Sequence, residues 1–151
     1  MPLDGMMEVK EVTLRRATEA DYDFLYNLHK DALKPYIDET WGWDEEWQSR
    51  YFSERFDPTS REIIQHRGQD IGCVSVQDEG DALFIVYIAI LPGYQRQGIG
   101  SHLIRRVLQE AESRNIPVRI HTLKVNPARE LYERLGFRIS STTETHYLME
   151  K

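Results

Sequence analysis

The chain has 151 residues, of which 40% are hydrophobic, and its formal net charge is −6. This length corresponds to one domain with a sizeable core, and the acidic balance argues against nucleic-acid binding, which normally uses a basic surface. Cys73 is the only cysteine, so no internal disulfide is possible and a reducing, cytoplasmic location is expected.

Two features of the chain bear on membranes and on domain organisation. The longest unbroken apolar run covers residues 82–91, well short of the ~18–20 residues that span a bilayer. Residues 1–8 carry neither a basic start nor an apolar signal core. We therefore expect no membrane association, a flexible tail at residues 1–8, and a single domain over residues 9–151.

The first part of the chain favours a strand followed by two helices. Polar and apolar residues alternate over residues 9–15, which predicts an opening strand. Thr18 is a good N-cap for a helix running to about Leu33, and Pro35 is expected to end that helix. A second helix is predicted over about residues 44–55, which leaves an aromatic and acidic loop between the two helices.

The rest of the chain alternates between strands and helices. A near-continuous apolar run at residues 82–90 predicts a strand that is buried on both faces. The other predicted elements are a hairpin of residues 61–67 and 71–78, a helix at 99–114, a strand at 118–123, a helix beginning at Asn126-Pro127, and strands at 137–140 and 145–149. The sum is a single α/β domain with a mixed sheet.

A glycine-bearing turn separates the long strand from the helix that follows it. Its sequence is QRQGIGS, residues 95–101. The first turn of a helix leaves backbone N–H groups without intrahelical partners, and glycine lets phosphate oxygens approach them. The turn lacks the lysine of a Walker loop, and Leu103 stands where a dinucleotide-binding fingerprint requires a third glycine. The remaining interpretations are a pyrophosphate cradle of another kind and a plain turn.

Two segments resemble the GNAT N-acetyltransferase superfamily. Residues 88–100, IAILPGYQRQGIG, resemble the acetyl-CoA motif of that family, and residues 126–137, NPARELYERLGF, resemble its second motif. The order of predicted elements agrees with the family over about residues 9–149. The segment WGWDE, residues 41–45, further resembles a bacterial subgroup of the family, for which it implies no substrate.

The resemblance implies both the fold and the cosubstrate. The expected fold is an α/β domain with a mixed, mostly antiparallel central sheet of about six to seven strands, splayed at two central parallel strands and flanked by about four helices. The implied cosubstrate is acetyl-CoA, and no metal is expected. The residues implied to bind acetyl-CoA are Ile88, Ala89, Ile90, Gln95, Arg96, Gln97, Gly98, Ile99, Gly100, Ser101 and Asn126.

These cofactor-binding residues have different implied roles. The backbone amides of residues 97–101 would hold the pyrophosphate, and the strand edge at residues 88–90 would pair with the pantetheine arm. The backbone near Ala89 would polarise the thioester carbonyl. Asn126 would contact the arm or cap the helix that follows.

Tyr132 is the implied catalytic residue. Acetyl transfer requires a neutral amine, a stabilised tetrahedral intermediate and a stabilised leaving thiolate. The reference pKa of a thiol is roughly 8.5, so a tyrosine with a pKa of about 10 can act as the general acid. We therefore expect direct attack of the amine in a ternary complex. Without the resemblance, Tyr132 would be interpreted as a core aromatic residue of an amphipathic helix.

The acceptor side of the site is expected in the aromatic segment between the first two helices. Tyr36, Glu39 and Trp41 are the candidate pocket residues, and rings beside carboxylates would form a cage for a cationic amine. Trp43 and Trp47, spaced i and i+4, alternatively dock the second helix on the core.

The general base has several candidates, each able to accept a proton directly or through ordered water. They are Asp38, Glu39, Asp44, Glu45, Glu54, His29 and His121. His121 ranks above His29 because its strand borders the expected slot for the pantetheine arm.

The expected function is that of an acetyl-CoA-dependent N-acetyltransferase acting on the primary amine of a small molecule. The alternatives are a protein lysine or N-terminal acetyltransferase and a non-catalytic acyl-CoA-binding module. The two final strands are a candidate surface for a homodimer.

Overall fold

Within residues 11–151, which this computed structural model describes, the chain folds into a sheet flanked by helices. The predicted tail at residues 1–8, and residues 9 and 10 of the predicted opening strand, lie outside the described residues. The strands and α-helices are, in chain order, β1 (Val12–Arg16), α1 (Tyr22–Trp41), α2 (Glu45–Glu54), β2 (Glu62–His66), β3 (Gln69–Asp78), β4 (Leu83–Ile90), α3 (Ile99–Ser113), β5 (Val118–Leu123), α4 (Ala128–Arg134), β6 (Arg138–Thr142) and β7 (His146–Glu150).

The sheet has seven strands in the order β1-β2-β3-β4-β5-β7-β6. All neighbouring strands are antiparallel except β4 and β5. That parallel pair is in register only from Leu83 opposite Val118 to Ile85 opposite Ile120, although β4 continues to Ile90. The two strands therefore splay apart beyond Ile85. The expected mixed, mostly antiparallel sheet with a splayed parallel pair and four helices is confirmed.

A β-bulge in β4 decides which of its side chains face each side of the sheet. Ser75 pairs with Tyr87 and Val76 pairs with Ile85, so Val86 is an extra residue without a partner on β3. The extra residue reverses the alternation along the strand. Ile85 therefore packs in the apolar cluster under α3, whereas Tyr87, two residues on, packs against α1 and α2 on the opposite face.

Helices cover both faces of the sheet. On one face, α1 and α2 contribute Leu25, Leu28 and Phe52 to a buried cluster with Ile63 and Ala89 of the strands. Each of the larger side chains, leucine, isoleucine or phenylalanine, contributes about 1.5–3 kcal/mol by leaving water. On the other face, α3 and α4 pack on β4, β5 and β7. Among residues 11–151, no helix combines the length and apolar character needed to cross a membrane.

Helix α1 runs through Pro35 to Trp41, so the prediction that Pro35 ends this helix is wrong. A proline inside a helix removes one N–H donor and crowds a carbonyl, at a cost of about 3 kcal/mol. The added turns bury Ile37, and they close with a hydrogen bond of 2.8 Å from the amide of Gly42 to the carbonyl of Asp38. Packing of these turns therefore outweighs the local effect of the proline.

Candidate active site

The turn between β4 and α3 presents a row of backbone amides. Helix α3 begins at Ile99, and a hydrogen bond of 3.0 Å from the amide of His102 to the carbonyl of Gly98 opens it. The amides of Ile99, Gly100 and Ser101 precede that bond and have no acceptor within the helix. Gly98 has φ +85°, a conformation that glycine adopts without strain. These amides, at the positive end of the α3 dipole, suit an anion.

Two glutamine side chains hold the shape of this turn. Nε2 of Gln95 donates a hydrogen bond of 2.8 Å to the carbonyl of Ile90, the last residue of β4. Nε2 of Gln97 donates one of 3.2 Å to the carbonyl of Gly93. Arg96 lies between them, exposed and with φ +63°. The amides of α3 are thereby tied to the end of β4.

The start of α3, the end of β4 and helix α4 converge beside the splay. A Cβ built on Gly100 would lie 3.6 Å from Cδ1 of Ile90 and 3.9 Å from Cδ2 of Leu131. Ile88 packs against the same cluster as Tyr132 of α4. Because β5 has diverged here, this end of β4 has no strand partner on that side within the described residues. An extended chain can pair with such an open edge.

Helix α4 carries two of the predicted site residues. Tyr132 is 6% exposed, and its hydroxyl has no hydrogen-bond partner within residues 11–151. Burial raises the pKa of Tyr132 to about 12, so the hydroxyl stays protonated at neutral pH. Oδ1 of Asn126 accepts a hydrogen bond of 2.9 Å from the amide of Ala128. Asn126 therefore caps α4, which is one of its two expected roles.

A cavity of about 750 Å³ lies on the opposite face of the sheet, between α1, α2 and β4. Its aromatic side chains are Trp41, Trp47, Tyr51, Phe52 and Tyr87. The rings of Trp47 and Tyr51 stack with centroids 4.7 Å apart. Trp41 is 60% exposed and stands at the end of α1. An apolar or aromatic ligand would bury these surfaces.

The same cavity has a polar wall. Its charged and polar side chains are His29, Asp44, Gln48, Arg55 and Arg61. Nδ1 of His29 lies 3.4 Å from the hydroxyl of Tyr87. Burial lowers the pKa of His29 below its usual 6.5, so this imidazole is neutral, and able to accept a proton, at pH 7.

The structure separates the predicted pocket residues from one another. Trp41 lines the cavity, whereas Tyr36 and Glu39, on the last turns of α1 rather than in a loop, lie outside its lining. Trp47 also lines the cavity and is half exposed, while Trp43 lies outside the lining and its indole nitrogen is buried. The cavity is therefore built by α1, α2 and β4, and two of the four acceptor-side aromatic residues expected from sequence contribute to it.

The predicted bases differ in where they lie. Asp38 and Asp44 accept hydrogen bonds from backbone amides, and Asp44 caps α2. The carboxylate of Glu45 accepts hydrogen bonds from the side chains of a lysine and a tyrosine of α1. His121 is exposed on β5. Only His29 combines a place in the cavity wall with a ring that is largely withdrawn from water, among the candidates in the described residues.

Several residues of the cavity lining, among them Tyr87, Gln48 and Arg61, are missing from the predictions made from sequence. Tyr87 lies in an apolar run, and it reaches this face only because of the bulge at Val86. Gln48 is buried on α2, and Arg61 stands just ahead of β2. Nothing in the pattern around either residue marks it as part of a site, because the contact depends on how α2 packs on the sheet.

Comparison with protein families places the turn, the splay and α4 in one known domain. The family model described as "Acetyltransferase (GNAT) domain" matches residues 59–139, from ahead of β2 to the start of β6. No curated protein matches the chain.

Solved structures with the same fold include three N-acetyltransferases. PaiA from Thermoplasma acidophilum, in complex with coenzyme A, is 15% identical with a TM-score of 0.75, covering 93% of this chain and 98% of its own. Spermidine N-acetyltransferase from Vibrio cholerae, with CoA and spermine, is 19% identical with a TM-score of 0.67, and the match covers 94% of this chain and 95% of that protein's chain. The ribosomal-protein-S18-alanine N-acetyltransferase of Escherichia coli is 22% identical with a TM-score of 0.64, covering 92% of both chains. At these identities the likeness establishes the fold alone. The family model, however, covers more than half of the residues, and the chain belongs to the GNAT acetyltransferase family.

Proposed function

We propose that this protein is an acetyl-CoA-dependent N-acetyltransferase that acetylates the primary amine of a small molecule by direct attack in a ternary complex. The observation that carries the proposal is the splay of β4 from β5 beyond Ile85, beside which the free amides of α3 and Tyr132 of α4 converge. The relatives solved with coenzyme A support it.

The chain's own backbone provides the groups that acetyl-CoA needs. The amides of residues 97–101 bind the pyrophosphate, with Gln95 holding the turn and Arg96 adding positive charge. The open edge of β4 at residues 88–90 accepts the pantetheine arm as an added strand. Backbone N–H near Ala89 stabilises the oxygen of the tetrahedral intermediate.

The acceptor amine reaches this point from the cavity. Ala89 and Tyr87 lie on the same face of β4, toward α1 and α2, so the cavity wall continues into the strand that would hold the thioester. His29, neutral at pH 7, accepts the proton of the acceptor's ammonium group directly or through water, which frees the lone pair.

Tyr132 stabilises the departing sulfur. Its hydroxyl is free of other hydrogen bonds within residues 11–151 and is protonated. Because a thiol has a reference pKa of roughly 8.5, complete proton transfer from this tyrosine to the thiolate is uphill. A charge-assisted hydrogen bond from the hydroxyl to the sulfur therefore provides most of the stabilisation.

The size of the cavity favours a small acceptor. At about 750 Å³ it lies within the range of roughly 300–1,000 Å³ that is usual for small-molecule sites. A peptide acceptor would need an extended groove. The name of the Escherichia coli relative specifies an alanine of a ribosomal protein, so peptides belong in the test.

A screen of thiol release from acetyl-CoA tests the proposal. The acceptors are amines, polyamines, amino acids and short peptides at equal concentration. We expect turnover with a small amine and a kcat/KM at least about tenfold lower for every peptide, because the peptide chain finds no groove. Preferred turnover of peptides would indicate the protein acetyltransferase alternative. Binding of acetyl-CoA without turnover of any acceptor would indicate a binding module.

A homodimer and a cytoplasmic location stay predictions. Strand β6 lies at the edge of the sheet and all of its residues are exposed, so its backbone is open to pairing with a second copy. Light scattering on the purified protein measures the mass directly.

A further inference from the structure

Arg61 is the most buried cation of the cavity wall, and its neighbours are neutral. Its guanidinium carbon lies 4.8 Å from the ring centroid of Tyr87 and 5.5 Å from that of Phe52. Nη1 lies 3.9 Å from the sulfur of Cys73. Among residues 11–151, no carboxylate forms an ion pair with Arg61. A guanidinium held between rings, facing a cavity, retains donors for an anion.

The charges around the cavity favour an anionic group on the ligand. Arg55 is the second cation of the wall, and it stacks on Tyr51 with 3.8 Å between the guanidinium carbon and the ring centroid. Among residues 11–151, Asp44 is the only carboxylate in the lining, and its Oδ1 already accepts a hydrogen bond from the amide of Trp47 at the start of α2. The wall therefore repels a polyamine more than it attracts one.

Arg61 and His29 approach the same tyrosine. His29 places Nδ1 3.4 Å from the hydroxyl of Tyr87, and Arg61 covers the ring of Tyr87. The positive charge of Arg61 is close enough to add to the lowering of the His29 pKa that burial causes. A proton acceptor and an anion-binding group thus stand side by side on the floor of one cavity.

We propose that the acceptor is a free α-amino acid with an apolar or aromatic side chain, whose carboxylate binds Arg61. The inference rests on the proposed function. An α-amino acid has its amine and carboxylate on one carbon, which matches the neighbouring positions of His29 and Arg61. A planar carboxylate matches the two-donor face of a guanidinium, and the rings of Trp41, Trp47 and Tyr51 enclose the side chain.

Matched pairs of acceptors, with and without the carboxylate, test the inference by thiol release. The pairs are L-phenylalanine with 2-phenylethylamine, and L-leucine with 3-methylbutylamine. We expect the wild type to prefer the amino acid of at least one pair by about tenfold or more in kcat/KM, as a charge-assisted hydrogen bond allows. Equal or better use of the carboxylate-free amine in both pairs would overturn the inference.

Substitution at Arg61 assigns the preference to this side chain. Arg61→Met should raise KM for the amino acid by about tenfold and should change KM for the matched amine by no more than about twofold. Arg61→Lys should recover part of the loss. Arg50→Met is the control, because it removes the same charge from an exposed site of α2 outside the cavity lining. An equal effect of Arg61→Met on both members of a pair would contradict the assignment.

A binding measurement separates this inference from the proposed function. All three tryptophans of the chain lie between residues 41 and 47, at or beside the cavity, so intrinsic fluorescence reports its occupancy. With coenzyme A present, 3-phenylpropanoate, which has no amine to acetylate, should bind the wild type and bind Arg61→Met at least about tenfold more weakly. Equal binding by the two proteins overturns the inference that Arg61 binds a carboxylate. Absence of turnover with every amine instead overturns the proposed acetyltransferase activity. Thermal unfolding checks that each variant is folded. If Arg61→Met is not folded, Arg61→Gln takes its place in the experiment.

Discussion

His29 of α1 and Tyr87 of β4 meet on the floor of the cavity, with Nδ1 of the histidine 3.4 Å from the phenolic oxygen. Their rings stack with centroids 6.2 Å apart. The contact exists because the bulge at Val86 turns Tyr87 toward α1. It joins the proposed base to the strand that would carry the thioester.

Replacing His29 should remove the rise of kcat/KM with pH on the acid side of the pH profile (the acid limb). Burial first, and the charge of Arg61 as well, lowers the pKa of His29, so the imidazole takes up its proton at a lower pH than an unperturbed histidine. In the wild type, kcat/KM should therefore rise with pH through a pKa below 6.5 and level off above it. His29→Gln should lower kcat by about 10²-fold and abolish that limb.

The matched control for this experiment is His121→Gln. His121 is exposed on β5, where its ring contacts Phe84 and lies outside the cavity lining. We expect its kcat and its pH profile to stay close to those of the wild type. Loss of the acid limb in His121→Gln, with the limb kept in His29→Gln, would assign the base to the strand instead.

Tyr132→Phe should separate catalysis from folding and from cofactor binding. The hydroxyl makes no hydrogen bond within residues 11–151, so its removal should leave the melting temperature close to that of the wild type. We expect kcat to fall by about 10²-fold, because the thiolate loses its donor. The Kd for coenzyme A, measured by calorimetry, should change little. An unchanged kcat would leave Tyr132 as a core residue only.

The two glycines of the turn should respond differently to alanine. Gly98→Ala forces an L side chain to φ +85°, which costs about 1–2 kcal/mol and distorts the amides that follow. Gly100 is helical, and its added Cβ would make only ordinary contacts of 3.6 Å and 3.9 Å with Ile90 and Leu131. Chemical denaturation should therefore show a loss of stability for Gly98→Ala and none for Gly100→Ala. Equal losses would contradict the assigned turn geometry.

The carboxylate of Asp21 should contribute measurably to stability. It accepts hydrogen bonds of 2.7 Å and 3.0 Å from Arg15 and one of 2.8 Å from the amide of Thr18. Asp21→Asn should lower the free energy of unfolding at pH 7 by about 1–3 kcal/mol. Because these bonds hold the pKa of Asp21 below 3.8, the stabilisation is present above pH 3.8 and is lost as acid protonates the folded state.

Glu46→Gln is the control for that measurement. Its pair with Arg50, at 3.9 Å, is exposed on both sides, and such pairs contribute about 0–1 kcal/mol. A change as large as that of Asp21→Asn would mean that general charge balance, and not the local network, explains the effect.

The order of the elements could be predicted from sequence because it depends on local patterns, whereas the splay of the sheet is implied only by the resemblance to the GNAT family. The apolar run at residues 82–90, the glycine turn at residues 95–101 and the helix beginning near Asn126 are each readable within a short window. The extent of α1 could not be predicted in this way. Pro35 is unfavourable locally, and only the burial of Ile37 against the rest of the fold explains why the helix continues.

The amides at the start of α3 and the cavity also differ in how far the sequence predicts them. The amides after Gly98 follow from local chain geometry, so the sequence indicates them directly. The cavity depends on a one-residue bulge and on the packing of α2, which bring Tyr87, His29 and Arg61 together from three separate segments. Periodicity carries no record of that bulge, so the sequence alone ranks His121, whose strand borders the expected pantetheine slot, above His29.

Titration of isotope-labelled protein with coenzyme A, followed by backbone amide NMR, tests the central claim most directly. We expect saturable one-to-one binding, with the largest amide shifts at residues 97–101 and further shifts along residues 88–90. Binding that leaves the amides of residues 97–101 unchanged, or that shifts a different surface, would contradict it.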